Sequence, residues 1–330
     1  MRLSLGCALC ALLFGCGSSA APRPSRPESP LLTFDYDPGV PLQFVDHGRA
    51  NRRSEPIAVH DVSFRSMGER IEGYLLLPPG RARRPAVVFV HGSGGDRREL
   101  LDRARALADR GVVALTITEP STSSPPVRSS RGAEALLKQL QATQVRDVVA
   151  VRRAVDLLRL RPQVDPERIG YLGWSAGART GTFVAASEPR VKALVLLSAG
   201  AAPVAAYVAN APPSIRPAVR RVLTSLDPVR YIARARPGSI LLEDGRRDAT
   251  VPHAALVNVI RAAPKGTTVR WYDAPHALNS AAYRDAFDWL LARPGAERTP
   301  GARERRAHFT RQAEAAARRT SSRGRRRSRP

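Results

Sequence analysis

The pentapeptide Gly-Trp-Ser-Ala-Gly at residues 173–177 constrains this chain more than any other stretch. An apolar strand pattern (residues 169–172) runs into it, and a small-residue helix pattern (residues 178–187) leaves it. Because glycine lacks a Cβ, Gly173 and Gly177 allow the backbone to approach itself closely in a sharp strand-to-helix turn. The pattern predicts that this turn holds Ser175 in a strained conformation with its hydroxyl exposed above a sheet. The alternative is a Gly/Ser-rich connector of no chemical importance.

The surrounding sequence predicts an α/β fold, because strand and helix patterns alternate along it. A hairpin across residues 66–69 comes first, and continuous apolar runs such as residues 86–90 then indicate strands buried on both faces of a parallel sheet. We expect eight strands, mostly parallel, with helices on both faces, over residues 57–293. Residues 96–110 are expected to form a helix with a capping-box-like start at Asp96 and Glu99. Prolines at positions 203, 212, 213 and 217 break the helical pattern of residues 199–236, which predicts a lid insertion.

A nucleophilic serine needs a base, and elimination among six histidines favours His276. His91 precedes Ser175 and belongs to a Gly-rich loop, whereas His253 lies at the start of a helix close to the candidate acid. His276 lies in a loop between the last strand and the last helix, where its Nε2 could reach the Ser175 hydroxyl. A structural loop histidine is the alternative.

The carboxylate that would orient this base is predicted to be Asp248. It follows the apolar strand at residues 240–242, with a turn between them and a helix pattern after it. Asp244, still close to the strand, and Asp273, near the base in sequence, are its rivals. Asp248 would fix the tautomer of His276 and stabilise the imidazolium without taking the proton, and its alternative role is a helix cap.

An ester or amide reaction also needs backbone donors for the developing oxyanion. Ala176, the residue after the nucleophile, is predicted to supply one N–H, and Ser93, in the loop that begins at His91, the other. The glycines of this loop would also suit a phosphate-binding turn. No Gly-Lys-Ser/Thr follows them, which argues against that reading.

Together these residues resemble the α/β-hydrolase fold, and dienelactone-hydrolase-like and prolyl-oligopeptidase-like esterases in particular. The resemblance covers residues 57–293 and includes the hairpin at residues 61–75, the His91-Gly92 loop, and the approach to the pentapeptide at residues 165–170. It also includes Gly245-x-x-Asp248, the Val251-Pro252 pair that follows it, and His276. Dienelactone hydrolases proper use a cysteine nucleophile, so their substrate does not carry over to a chain with Ser175.

The resemblance implies a serine hydrolase that cleaves a small-molecule carboxylic ester and requires no metal or organic cofactor. Two alternatives stay open. A peptidase or amidase of prolyl-oligopeptidase type would use the same triad but usually carries a propeller or a long N-terminal domain. A non-catalytic binding lipoprotein would keep the fold alone, and the intact set of Ser175, Asp248 and His276 argues against it.

The first residues predict export. A charged start followed by a short apolar run (residues 3–14) is typical of a secretory signal, residues 1–15. Residues 13–16, Leu-Phe-Gly-Cys, resemble the lipobox of bacterial lipoproteins, so we expect Cys16 to be lipidated and anchored in a membrane, by family analogy the outer one. A plain signal cleaved after Ala20 or Ala21 is the alternative. Residues 16–50 would form the lipidated N-terminus and its tether.

Charge has little weight as a functional signal here, although the formal net charge is +24. Only three of the basic residues are lysine, and the chain shows no aromatic-interleaved basic stripe or Cys/His finger spacing, so nucleic acid is not the expected partner. All three cysteines lie within the first 16 residues, which excludes a disulfide or thiolate metal site from the domain. Residues 296–330 carry twelve Arg against three Glu and are predicted to be a disordered basic tail, with binding to anionic lipid or nucleic acid as the alternative.

Overall fold

A computed structural model describes residues 29–123 and 132–293, and one twisted sheet organises this part of the chain. The sheet has nine strands in the order β1-β2-β3-β5-β4-β6-β7-β8-β9. The strands are β1 (Val45–Arg49), β2 (Ala58–Ser66), β3 (Glu69–Leu77), β4 (Arg84–Val90), β5 (Val113–Ile117), β6 (Val164–Trp174), β7 (Val191–Leu197), β8 (Ile240–Gly245) and β9 (Thr268–Tyr272).

The first three strands pair antiparallel, and β3 pairs antiparallel with β5; all pairs from β5 through β4 to β9 are parallel. The predicted α/β fold with a mostly parallel sheet is therefore confirmed. The sheet has one strand more than the eight expected. The additional strand is β1, whose residues are mostly exposed and show no apolar alternation that would reveal it.

Helices cover both faces of the sheet in the described ranges. One face packs against α3, α4, α7 and α8, and the other against α1 and α9. The helices are α1 (Leu101–Ala108), α2 (Pro120–Ser123), α3 (Gly132–Arg159), α4 (Ala176–Ser187), α5 (Val204–Asn210), α6 (Arg216–Ser225), α7 (Pro228–Ile232), α8 (His253–Ala262) and α9 (Ser280–Leu291). None of the helices in these ranges has the length and apolar character needed to cross a bilayer.

Burial on both faces explains the continuous apolar runs of the central strands. In β4, Ala86, Val88 and Val90 belong to the core under α3 and α4. Val87 and Phe89 of the same strand belong to the core under α1 and α9. Alternate residues of a strand point to opposite faces, so a strand between two helical layers must be apolar throughout.

The segment before β1 lies against the domain, although residues 16–50 were expected to form a tether. Phe34 is only 4% exposed and packs against Phe183, with ring centroids 5.8 Å apart. The Arg152 side chain donates a hydrogen bond to the Phe34 carbonyl at 2.6 Å, and the Leu32 N–H donates to the Tyr231 hydroxyl at 2.8 Å. Because this packing joins residues more than 100 positions apart, the local sequence does not reveal it.

The predicted lid, residues 199–236, contains α5, α6 and α7 between β7 and β8. Val222 and Leu226 of this insertion form a small apolar cluster with Leu137 of α3. The predicted signal (residues 1–15), Cys16 and the basic tail (residues 296–330) lie outside the described residues.

Candidate active site

The turn between β6 and α4 places Ser175 at the carboxyl end of the central strand. Ser175 has φ 55° and ψ −110°, a conformation that a non-glycine residue rarely adopts. A Cβ on Gly173 would collide with the Gly177 carbonyl, and one on Gly177 would collide with the Val90 carbonyl. Both glycines are therefore required by close backbone approach, and the strain at Ser175 is maintained by the packed structure around it.

His276 lies beside this serine, in the loop between β9 and α9. Its Nε2 is 2.9 Å from the Ser175 hydroxyl oxygen. Two donors from other strands fix the backbone here, because the Trp174 indole N–H and the Ser198 hydroxyl each donate to the His276 carbonyl at 3.0 Å. The Trp174 ring also lies 5.3 Å from the imidazole, between centroids. These contacts restrict the ring to the position from which it reaches Ser175.

Asp248, in the loop after β8, completes the hydrogen-bonded chain. Its Oδ2 is 2.7 Å from His276 Nδ1, and its Oδ1 accepts from the Thr250 and Val251 N–H groups at 2.8 and 2.9 Å. Its side chain is only 1% exposed. An acidic acceptor at Nδ1 favours the tautomer that carries its proton there, which leaves Nε2 free to accept the serine proton.

The side chains considered as alternatives to Asp248 and His276 have other surroundings. Asp273 is exposed and bonds Arg247. Asp244 is buried at the end of β8, and burial, with the nearby charge of Asp248, raises its pKa to about 7. His253 stacks against Trp271, with ring centroids 4.9 Å apart. The structure thus brings Ser175, His276 and Asp248 together, as their positions at strand ends predict.

The loop after β4 carries the predicted oxyanion donor Ser93 and faces Ala176, the first residue of α4. Backbone N–H groups in the first turn of a helix have no acceptor within that helix, so the Ala176 N–H is available to a ligand. Ser93 and Ala176 line one common cavity. The Gly177 N–H donates to the His91 carbonyl at 3.0 Å, which fixes the loop against the serine turn.

His91 itself has a structural position in this loop. Its Nδ1 lies 2.7 Å from the Gly92 carbonyl, so it donates there, and its Nε2 accepts from the Glu119 N–H at 3.0 Å. Burial lowers the pKa of His91, which favours this neutral ring. Both ring nitrogens of His91 are thus engaged by Gly92 and Glu119, which agrees with its exclusion as the base.

Glu99 shows where a sequence expectation was wrong. Helix α1 begins at Leu101, and the Glu99 carboxylate accepts from the Gly92 N–H at 2.7 Å instead of closing a capping box. Sequence reasoning missed this contact and the Ser198 contact to His276. The only signal for Ser198 was its place at the end of a strand beside the serine strand.

No group of three or more His, Cys, Asp or Glu side chains within residues 29–123 and 132–293 is arranged to hold a metal ion. The serine, the imidazole, the carboxylate and the backbone donors around them are the reactive groups that the structure brings together at the site. This set can attack a carbonyl carbon, move a proton between two oxygens and hold a developing oxyanion.

Comparison with known proteins identifies the family and the fold. The model of the dienelactone hydrolase family matches residues 71–287, more than half of the chain. Acetyl xylan esterase 1 from Thermoanaerobacterium sp. is 17% identical with a TM-score of 0.64, over 76% of this chain and 88% of that one. A dienelactone hydrolase from Anabaena variabilis is 19% identical with a TM-score of 0.51, over 72% and 98% of the two chains. At such identities these structures show a shared fold.

A curated relative adds a different activity. Polyketide transferase ATR5 from Stachybotrys chlorohalonatus is 33% identical over 137 residues. That match covers 41% of this chain and 42% of the relative, so it spans less than half of either protein.

Proposed function

The chain belongs to the dienelactone hydrolase family, and from that premise we propose that it is a serine hydrolase that cleaves carboxylic esters through an acyl-enzyme on Ser175. The observation that carries this proposal is the unbroken chain from the Ser175 hydroxyl through His276 to Asp248, with distances of 2.9 and 2.7 Å. A serine hydroxyl is a weak nucleophile, and an oriented imidazole is the usual means of activating it.

In the first half of the reaction, the Ser175 oxygen attacks the ester carbonyl carbon while His276 Nε2 takes the hydroxyl proton. The carbonyl oxygen becomes an oxyanion, which accepts hydrogen bonds from the N–H groups of Ala176 and Ser93. Asp248 stabilises the imidazolium through Nδ1. The C–O bond to the alcohol then breaks, and the imidazolium proton passes to the departing alkoxide.

In the second half, water attacks the acyl-enzyme carbonyl and gives a proton to His276 Nε2. The tetrahedral intermediate collapses, the carboxylic acid leaves, and the proton returns to the Ser175 oxygen. Each proton moves between atoms that the structure holds within hydrogen-bond distance or that the substrate brings there. No redox step or metal-bound water is needed.

The test is turnover of p-nitrophenyl acetate together with labelling by a fluorophosphonate probe. Ser175→Ala is expected to lower kcat by roughly 10⁵-fold or more and to abolish labelling in a protein that still folds. Ser187→Ala is the matched control, because the Ser187 hydroxyl donates to the Phe183 carbonyl within α4. Labelling that persists in Ser175→Ala would remove this residue from the mechanism.

Backbone and side-chain roles in the oxyanion loop can be separated at Ser93. Ser93→Ala keeps the backbone N–H and is expected to retain activity, whereas Ser93→Pro removes the N–H. Losing one such donor costs about 3 kcal/mol of transition-state stabilisation, or about 100-fold in kcat. Equal activity of the two variants would exclude this N–H as a donor.

Acyl transfer is a second candidate, since the curated relative above is named a transferase. An alcohol or amine in place of water would resolve the same acyl-enzyme into a new ester or amide. Adding a primary alcohol during p-nitrophenyl acetate turnover and quantifying the acetate ester distinguishes the two outcomes. Acetic acid as the main product supports hydrolysis.

We also propose that the chain is exported and membrane-anchored as a lipoprotein through Cys16. The lipobox-like residues 13–16 after a short apolar run support this. Cys16→Ala is expected to release the protein from the membrane fraction, and mass spectrometry of the N-terminal peptide should show acylation in the unaltered protein. Cys10→Ala lies in the same segment and serves as the matched control.

A further inference from the structure

A cavity adjoins the proposed oxyanion donors, and none of Ser175, Asp248 and His276 lines it. It has a volume of about 270 Å³ and is lined by Ser93 and Ala176 on one side. The opposite side is formed by α3 and by the loop after β5. Its polar lining includes Glu119, Ser121, Thr143, Gln144, Asp147 and Thr180. A group bound here would therefore extend directly from an ester carbonyl seated at Ser93 and Ala176.

Two side chains of this lining are buried and lack a partner for one oxygen. Glu119 and Gln144 are each 2% exposed, and within the described residues no group donates to Glu119 Oε1 or Gln144 Oε1. Leaving a buried polar atom without a hydrogen bond costs about 1–3 kcal/mol. Both residues line the cavity, so a molecule that enters it can supply the missing hydrogen bonds after a small shift of these side chains.

Their positions are fixed by the remaining contacts. Gln144 Nε2 lies 3.5 Å from the Thr180 hydroxyl. The Ser121 N–H donates to Asp147 at 2.9 Å, and the Glu119 N–H donates to His91. These contacts tie the loop after β5 to α3 and to the oxyanion loop. The cavity is thus formed before any ligand arrives.

Burial limits the negative charge in the cavity. It raises the pKa of both Glu119 and Asp147, and the charge of Asp147 adds to the effect at Glu119. The protonated form of Glu119 is therefore favoured, and the exposed Arg179 adds a positive charge at the same cavity. A lining that combines these carboxyl groups with a guanidinium does not select an ion of one sign.

Hydroxyl groups match such a lining best, because each can donate and accept a hydrogen bond. The cavity offers acceptors at Gln144 and Asp147 and donors at Glu119 and the neighbouring hydroxyl side chains. We propose that this cavity is a subsite for a neutral, hydroxyl-bearing portion of the ester, with Glu119 and Gln144 as specificity-determining residues. The proposal rests on the ester hydrolase function proposed above.

The experiment measures kcat/KM of the full chain on two pairs of esters, each pair differing in hydroxyl groups. Methyl butyrate against glyceryl monobutyrate tests the alcohol side, and p-nitrophenyl butyrate against its 3-hydroxy form tests the acyl side. We expect at least one pair to show about a tenfold preference for the hydroxylated ester, as one or two hydrogen bonds would give. No preference in either pair would overturn the proposal.

Two variants then assign the preference to the cavity. Gln144→Leu and Glu119→Leu are expected to lower kcat/KM about tenfold on the preferred hydroxylated ester and less than about twofold on its plain partner. Glu119→Gln keeps a neutral hydrogen-bonding group and should retain most of the preference. Gln139→Leu, on the same helix but outside the cavity lining, is the control.

The outcomes separate this proposal from the one on which it rests. Equal losses on both members of a pair would mean that Glu119 and Gln144 act only on structure, which would overturn the subsite. Thermal unfolding of each variant shows whether it folds. If Glu119→Leu does not fold, Gln144→Leu still tests the subsite, because it leaves the Glu119 contacts in place. Absent fluorophosphonate labelling of the unaltered protein would instead refute the ester hydrolase function itself.

Discussion

Asp248→Asn tests the proposed mechanism most directly, because the surroundings of this side chain dictate how the amide must lie. Asp248 Oδ1 accepts from the Thr250 and Val251 N–H groups. In the variant, the amide oxygen must stay at that position, since an NH₂ group there would face two donors. The NH₂ group then takes the place of Oδ2, which faces His276 Nδ1 at 2.7 Å.

A donor at this place reverses the tautomer of the base. His276 Nδ1 must accept, so the proton moves to Nε2, and Nε2 can no longer take a proton from the Ser175 hydroxyl. Loss of the correct tautomer by such an exchange costs about 10⁴-fold in kcat, equivalent to about 5.5 kcal/mol. The overall structure should persist, because both backbone N–H groups keep their acceptor.

The assay is the initial rate of p-nitrophenyl acetate hydrolysis, with urea unfolding in parallel. Asp248→Asn should lose activity with little loss of stability, whereas Asp248→Ala should also lose about 1–3 kcal/mol of unfolding free energy by leaving the two N–H groups unpaired. Asp273→Asn, the exposed rival, should change kcat less than about threefold. A folded Asp248→Asn protein with more than about a tenth of the original kcat would refute the tautomer argument.

Three further predictions concern stability. Gly177→Ala should lower the free energy of unfolding in urea by about 3 kcal/mol or more, because the new Cβ meets the Val90 carbonyl; a loss below about 1 kcal/mol would contradict this. The folded pKa of His91 lies below its ordinary value of 6.5, so the unfolded state binds more protons below that pH. The unfolding free energy should therefore decrease as the pH is lowered below 6.5, by at most about 1.4 kcal/mol per pH unit, and His91→Gln should reduce this slope relative to the unaltered protein. The pH dependence of stability due to Asp244 has the opposite sign. Its pKa rises from 3.8 to about 7 on folding, so the unfolding free energy decreases as the pH increases through that window. Asp244→Asn should thus gain on the order of 4 kcal/mol relative to the unaltered protein between pH 4 and pH 8, and a constant difference would contradict the argument.

The sequence by itself determined those features that depend on short stretches of chain. Apolar runs such as residues 86–90 predict buried strands because a strand between two helical layers must be apolar on both faces. The glycines at 173 and 177 predict the tight turn at Ser175, because only residues without a Cβ permit that backbone approach. His276 and Asp248 could be chosen because loops after parallel strands meet at one edge of the sheet.

Only the tertiary structure decided which distant groups meet. The polar strand β1 pairs with β2, and Phe34 packs beneath α3 and α4, although neither segment carries a periodic signal. The Glu99 carboxylate bonds the Gly92 N–H in place of its expected cap. The cavity at Glu119 and Gln144 arises from a loop and a helix that no local pattern connects. Periodicity reports how each element is buried, but a contact between elements depends on the packing of the whole chain, and that packing creates the cavity beside the oxyanion loop.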